Sequence, residues 1–364
     1  MSIGVAMIGT GDIALANHLP GLELTVHDAR LVALCDTDPA RLARAQDRTG
    51  IKLVFDDWKA ALLHPEVDAV IIATPNSTHA EIALAAVGKG KHVLCEKPLA
   101  LDAPTAINMY RAAQRANVRH MTAFTYRFVP AMRYMKHLVD RGDVGRPYHF
   151  RARRFQDWGY RPLGWRQVQA TSGTGELADM LSHRIDYAHH LVGPIKRLVA
   201  DLRTFVPERG GRPTDVEDWV AIIAEFDRDE ASGVLESTKL ATGRGEGHRG
   251  EDEVEINGSE GSIVYSTQSP LKLRVGKRGD AELKTIDVPR EFRVWPASRR
   301  LPDVGDPLLM FRYDQDAEFI DAIVNKRACQ PSFADGAKAQ IVIDAAVQSH
   351  RERRWVDVNY SLEG

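Results

Sequence analysis

Short apolar runs recur along the first third of the chain at positions 3–8, 31–35, 52–55, 69–73, 92–95 and 120–124. Between them lie stretches with helical spacing. In 78–87, Ile82, Ala83, Ala86 and Val87 fall on one stripe, and 103–116 behaves similarly. Fully apolar strands alternating with amphipathic helices predict a parallel sheet covered on both faces, joined by right-handed crossovers.

The rhythm changes after about residue 124. A helix is expected over 130–141, an alternating strand over 148–156, and a long helix over 174–192, ended by Gly193 and Pro194. Extended runs follow at 195–206, 218–226, 233–240, 253–256 and 262–267, with 257–261 as a tight turn. Consecutive strands without intervening helices predict a mostly antiparallel sheet. Two helices close the chain, over 312–325 and 334–351. The fold class is α/β: an N-terminal Rossmann-type doubly wound parallel sheet over 1–123, then an α+β domain over 124–364 with a large open sheet.

Composition narrows the function classes. The 364 residues carry a net charge of −2, which argues against a nucleic-acid binder. The basic runs Arg151, Arg153, Arg154 and Arg351, Arg353, Arg354 read as solvated faces, or as one contact to a substrate anion. The three cysteines, Cys35, Cys95 and Cys329, form no CxxC pair and read as buried thiols in a reducing compartment. No leader pattern or membrane-length apolar run is present, so a cytoplasmic location is expected, with no membrane partner.

After the first strand stands Gly9-Thr10-Gly11-Asp12-Ile13-Ala14, a GxGxxA pattern. The first glycine permits the sharp strand-to-helix turn. The second lets backbone approach a pyrophosphate, and the small third residue lets helix and strand pack closely. Glycines are common in turns, so the pattern gains weight from context: a strand before, a helix after, and Asp36 at the end of the next strand. A carboxylate there accepts from ribose hydroxyls and repels a 2′-phosphate, favouring NAD over NADP. Asp38 is better placed than Asp36 to cap the following helix.

Two further segments, Ala73-Thr74-Pro75-Asn76-Ser77-Thr78-His79 and Glu96-Lys97-Pro98, complete a set. With the fingerprint, Asp36, Tyr126-Arg127-Phe128, the helix over 173–193 and Asp335-Gly336, the chain resembles the glucose-fructose oxidoreductase / inositol dehydrogenase / MocA family of sugar dehydrogenases along nearly its whole length. The resemblance implies NAD held by Gly9, Thr10, Gly11, Asp12, Ile13, Asp36, Thr74, Pro75, Asn76, His79, Glu96 and Lys97. It also implies a Lys97-Pro98 bond of the cis form, substrate lying between the domains, and a homodimer or homotetramer built on the open sheet.

The family's catalytic helix carries an Asp followed four residues later by His, here Asp179 and His183. Residues four apart share a helix face, and Asp186 falls near the same stripe. Oxidising a carbinol removes a hydride and a proton. His183 would take the proton, Lys97 would stabilise charge developing on oxygen, and Asp179 would grip neighbouring hydroxyls. A lone histidine or lysine reads as readily as a structural group; both motifs together carry the assignment. Many relatives have glycine between this Asp and His, whereas here Met180, Leu181 and Ser182 intervene, giving a bulkier floor.

The expected activity is reversible oxidation of a secondary hydroxyl of a sugar, glycoside or inositol-like polyol to a ketone, with NAD. Tyr126, Arg127, Arg154, Asp157 and Trp165 join Lys97, Asp179 and His183 as candidate substrate contacts, with Phe124, Trp158 and Arg166 nearby. The tryptophans would stack on a pyranose face or pack in the core. The glycine-rich segment 242–250 reads as a mobile loop whose Arg244, His248 and Arg249 meet solvent or an anionic substrate. Alternatives are an NAD-dependent glycoside hydrolase working by oxidation and elimination, and a non-catalytic NAD-binding module. A zinc site built on Asp179, His183, His189 or His190 lacks a third ligand at a recognisable spacing, and no metal is expected.

Overall fold

The computed structural model describes residues 2–362. Six strands build the first sheet: β1 (Ile3–Ile8), β2 (Ala29–Cys35), β3 (Val54–Phe55), β4 (Ala69–Ile72), β5 (His92–Cys95) and β6 (His120–Thr122). All pairs are parallel and the order is β3-β2-β1-β4-β5-β6. That is the doubly wound order whose reversal between β1 and β4 opens a crevice at the strands' carboxyl ends. Val5, Ala6, Met7 and Val70, Ile71, Ile72 are fully buried, as strands covered on both faces require. The helix Pro39–Thr49 is capped by Asp38, whose carboxylate accepts from the amides of Ala40 and Arg41.

The second sheet has nine strands. It contains β7 (Pro147–Phe155), β8 (Ile195–Arg203), β11 (Trp219–Phe226), β12 (Ser232–Thr238), β13 (Glu251–Gly258), β14 (Gly261–Ser266), β15 (Lys272–Lys277), β16 (Lys284–Asp287) and β17 (Val356–Asp357). A separate short hairpin, β9 (Glu208–Arg209) and β10 (Arg212–Pro213), lies between β8 and β11 in the chain. The order is β16-β15-β14-β13-β7-β12-β11-β8-β17, antiparallel throughout except for the parallel β12–β7 pair. Phe150, Ala152, Val220, Ile222, Val254 and Ile256 point inward and are fully buried. On the other face Val199, Ile223 and Val234 sit opposite one another across three strands, and Ile223 is 51% exposed.

The pattern-based reading of the sequence misses β15, β16 and β17. β16 and β17 are the edges of the sheet and each is short and carries charge, as edges do to avoid pairing with other chains, and β15 beside β16 is charged at Lys272, Arg274 and Lys277. The helix expected over 174–192 is a π-turn, Leu177–Leu181, running into an α-helix, Ser182–Leu191. A second π-turn, Ala14–His18, follows the glycine loop.

The last helix, Phe333–Glu352, crosses between the two halves. Phe333 and Ala337 belong to the core on one face of the first sheet, while Ala339, Val342 and Ile343 belong to the core that runs from its other face to the second sheet. Its start is a capping box, with Ser332 and Asp335 exchanging hydrogen bonds. A Cβ on Gly336 would lie 2.4 Å from Oγ1 of Thr122, so only glycine lets this helix sit against β6.

Candidate active site

The nucleotide groove begins at β1. Gly9 takes φ +89°, and a Cβ there would lie 2.6 Å from the Ala73 carbonyl oxygen. Glycine is required because the chain turns left-handed against β4's end. At Gly11 nothing lies within 4 Å of an added Cβ, so the second glycine faces open groove. Asp36 is fixed by the same loop: Oδ2 accepts from the Thr10 amide at 2.7 Å and hydroxyl at 3.0 Å, and Oδ1 from the Asp38 amide at 2.9 Å. A carboxylate has about four acceptor sites, which leaves capacity for ribose hydroxyls. A cavity of about 440 Å³ runs past Gly9, Gly11, Asp36, Thr74 and Pro75. Arg41 also lines it, but its guanidinium lies 3.4 Å from Asp38. This cradle fits a dinucleotide with a free 2′-hydroxyl.

His79 is placed elsewhere. Its ring is fully buried, with Nδ1 2.9 Å from the Pro98 carbonyl oxygen and Nε2 3.0 Å from that of Thr74. It ties together the loops after β4 and β5 and does not line the groove. Thr10, also buried, acts through Asp36. Asp12, Ile13, Thr74, Asn76, Glu96 and Lys97 line the adjoining cleft.

That cleft, about 400 Å³, lies between the two halves and meets the groove at Ala73 and Thr74. The Lys97-Pro98 bond is cis. Lys97 donates from Nζ to Oδ1 of Asp179 at 2.9 Å and also to the Asp179 carbonyl, on the π-turn. Burial pushes the Asp179 carboxyl up, but Lys97 and then Arg166 outweigh it and hold it down at about 2. His183 is 3% exposed, its ring 4.6 Å from that of Tyr126 and 5.8 Å from that of Phe124. Burial, then the charges of Lys97 and Arg184, hold its pKa well below 6.5, so the imidazole is neutral near pH 7. Nδ1 is sealed without a partner, which leaves Nε2 as the nitrogen available to a ligand.

Beneath the site, Glu96 reaches back to His18, 3.2 Å from Nε2, and Asp316 lies 2.9 Å from Nδ1. Burial disfavours the imidazolium, but Asp316 and then Glu96 raise His18 to about 10. One turn before Asp179, the buried Glu176 accepts from the Ser237 hydroxyl and leaves Oε2 without a partner. Burial, only partly opposed by Lys239, pushes it up to about 7.

Tyr126, Arg154 and Trp165 line the cleft with Trp158, Arg166 and Met180. Arg154 is buried and holds the carbonyls of Gly247 and Gly250, pinning the 242–250 loop over the opening. Asp157 does not line the cleft; its Oδ2 accepts from Gly243 and so shapes that loop. Arg244 pairs with Glu251.

Arg127 is also outside the cleft. It grips Asp186 through Nε and Nη2, at 2.7 and 2.6 Å, and Asp335 at 2.9 Å, in a rear cavity with Lys338. It joins the helix Ser182–Leu191 to the last helix. Neither Asp186 nor Asp335 is near Arg127 in sequence, so the motif alone gave no sign of this pairing. His189 and His190 lie on this rear side, and Nε2 of His189 is 3.0 Å from the Tyr360 hydroxyl. Among the described residues no group of three or more His, Cys, Asp or Glu side chains is placed to hold a metal ion.

A doubly wound sheet with an aspartate-anchored glycine loop, opening onto a cleft with a lysine, an aspartate and a neutral histidine, defines an NAD-binding oxidoreductase. Residues 3–124 match the model of the oxidoreductase family with an NAD-binding Rossmann fold, and residues 132–264 match the GFO/IDH/MocA C-terminal domain. The chain belongs to this Gfo/Idh/MocA family. It is 33% identical to a levoglucosan dehydrogenase of Pseudarthrobacter phenanthrenivorans, over 98% of each chain. It is 30% identical to a myo-inositol 2-dehydrogenase of Thermotoga maritima, over 78% of this chain and 81% of that one. A solved levoglucosan dehydrogenase in complex with NADH and levoglucosan superposes with a TM-score of 0.89, at 33% identity, over 98% of this chain and 100% of that one. The cofactor is NAD, and no described helix is long and apolar enough to cross a membrane.

Proposed function

We propose that the chain oxidises a secondary hydroxyl of a sugar, glycoside or inositol-like polyol to a ketone, reversibly. The carrying observation is the Lys97–Asp179 pair beside a neutral His183, in a cleft continuous with the nucleotide groove. Bound in that groove, NAD+ supplies the hydride acceptor. Nε2 of His183 takes the hydroxyl proton as the carbon loses hydride. The Lys97 ammonium donates to the same oxygen as negative charge builds. Asp179 stays ionised, orients Lys97 and accepts from a neighbouring hydroxyl. Trp158 and Trp165 offer apolar faces to the ring.

Residues 1–123 form the cofactor unit and 124–364 the substrate and assembly unit in this reading. The chain is cytoplasmic, in keeping with three free, buried cysteines. It assembles as a homodimer or homotetramer through the open sheet face that carries Val199, Ile223 and Val234, a point that light scattering tests.

The test is NADH absorbance with NAD and a panel of inositols, aldoses, sugar acids and glycosides, with NADP alongside. Net NADH with one class supports the reading. Sugar release from glycosides without net NADH would replace it with oxidation, elimination and re-reduction on retained cofactor. Tight NAD binding with silence throughout would leave a binding module.

A further inference from the structure

The carboxylates in the cleft are all paired, and nearly all of its cations are held by acceptors. Asp179 holds Lys97, with Arg166 3.8 Å away. Glu246 holds Arg161, Glu96 holds His18, and Asp12 holds Arg44. Arg154 is committed to the carbonyls of Gly247 and Gly250. Every carboxylate lining the cleft thus has a cationic partner. One lining cation has neither an anion nor any other acceptor among the described residues.

That cation is Arg312, on the 3-10 turn Met310–Tyr313. It is half-buried, and no acceptor among the described residues takes a hydrogen bond from its guanidinium; Nε is sealed without a partner. It lies against the faces of Tyr126 and Phe311, 6.0 and 5.7 Å from their centroids. An aromatic face attracts the charge but accepts no N–H in the guanidinium plane. A partly buried guanidinium with idle donors is costly unless an anion completes it.

We propose that Arg312 receives a carboxylate of the substrate, so that the sugar oxidised here is an acid, a uronate or an aldonate. This rests on the dehydrogenase reading above and names its substrate class. A planar carboxylate matches the guanidinium fork through two parallel hydrogen bonds and supplies the anionic acceptor that Arg312 lacks. The placement suits the chemistry: Tyr126 packs against both Arg312 and His183, so a sugar gripped by its carboxylate presents a more distant hydroxyl to Nε2 and to Lys97.

Matched substrates test this: D-glucuronate against D-glucose, D-galacturonate against D-galactose, D-gluconate against sorbitol, with D-glucose 6-phosphate alongside. In at least one pair the acid is expected to exceed its neutral partner in kcat/KM by about tenfold or more, chiefly through KM. Arg312→Gln should bring that ratio to within about twofold, and Arg312→Lys should keep part of it. The inference is overturned if the neutral member equals or exceeds the acid in every pair, if the preference survives in Arg312→Gln, or if the phosphate ester outruns the acids. Calorimetric titration of the same acids into the NAD-loaded protein separates the site from the chemistry. Binding that Arg312→Gln abolishes upholds the anion site even if no NADH forms, in which case the dehydrogenase reading alone falls. Absence of acid binding in the parent overturns the anion site whatever the turnover of neutral sugars.

Discussion

Lys97 and Asp179 hold each other by two contacts: the ammonium donates to Oδ1 over 2.9 Å and also to the carbonyl of the same residue. The residues are 82 positions apart, one after a strand of the first sheet and one on the π-turn of the second half. This bond closes the floor of the cleft across the two halves. Lys97→Ala is expected to lower kcat by about 10²–10⁴ by removing the donor to the developing oxyanion. NAD affinity, read by NADH fluorescence titration, should stay near the parent value. Near-parental turnover would remove Lys97 from the mechanism.

His183 gives a pH signature. Its pKa lies well below 6.5, so the base form is already present throughout the neutral range. The kcat/KM profile for oxidation should show no His183 limb near 6.5; such a limb belongs at lower pH. His183→Asn should cost about 10²–10⁴ in kcat. A limb near 6.5 in the parent that disappears in His183→Asn would contradict a buried neutral base.

His18 links pH to stability. Its folded pKa of about 10 lies above an unfolded value near 6.5. The stabilisation is therefore full below pH 6.5 and is lost as pH rises through 10. His18→Gln leaves the buried Asp316 and the half-buried Glu96 without their cation and should cost about 3–5 kcal/mol at pH 6. Thermal unfolding of both proteins from pH 6 to 10 should show the gap closing toward alkaline pH; a constant gap would refute the charged triad.

Glu176 behaves oppositely. Its folded pKa of about 7 exceeds the ordinary glutamate value, so ionisation opposes folding. The penalty is absent below pH 4.5 and full above 7, on the order of 3 kcal/mol. Glu176→Gln keeps an acceptor for Ser237 and removes the charge. It should melt higher than the parent at pH 8 and level with it at pH 4.5; an unchanged difference between these pH values would count against the assignment.

Asp36→Ala removes the acceptor for ribose hydroxyls and the repulsion of a 2′-phosphate. The ratio of kcat/KM for NAD over NADP should fall about tenfold or more. An unchanged ratio would mean that Asp36 serves only the Thr10 turn.

What the sequence made legible was local. Buried parallel strands announce themselves as unbroken apolar runs, and the glycine loop, Asp36, Lys97, Asp179 and His183 sit in short motifs or one helical turn. What it hid was long-range or off-period. The π-turns break the 3.6-residue rhythm on which the face of Asp179 and His183 was read, and β15 and β16 show too few apolar positions to register. Arg127 resembled a cleft residue until Asp186 and Asp335, 59 and 208 positions away, took its donors. His18 finds Asp316 298 positions away, and nothing near Arg312 in the chain marks it as a cleft residue.

The helix Phe333–Glu352 adds a late second piece to the core of the cofactor unit that residues 1–123 begin. Phe333, Ala337 and the close seat of Gly336 on β6 complete a core that the first 123 residues leave open. Exchanging cofactor modules between relatives by a single crossover near residue 124 would join a sheet to a foreign lid. A recombinant that respects the molecule's own seams must carry the N-terminal segment and this last helix together, so the two co-inherit although most of the chain separates them.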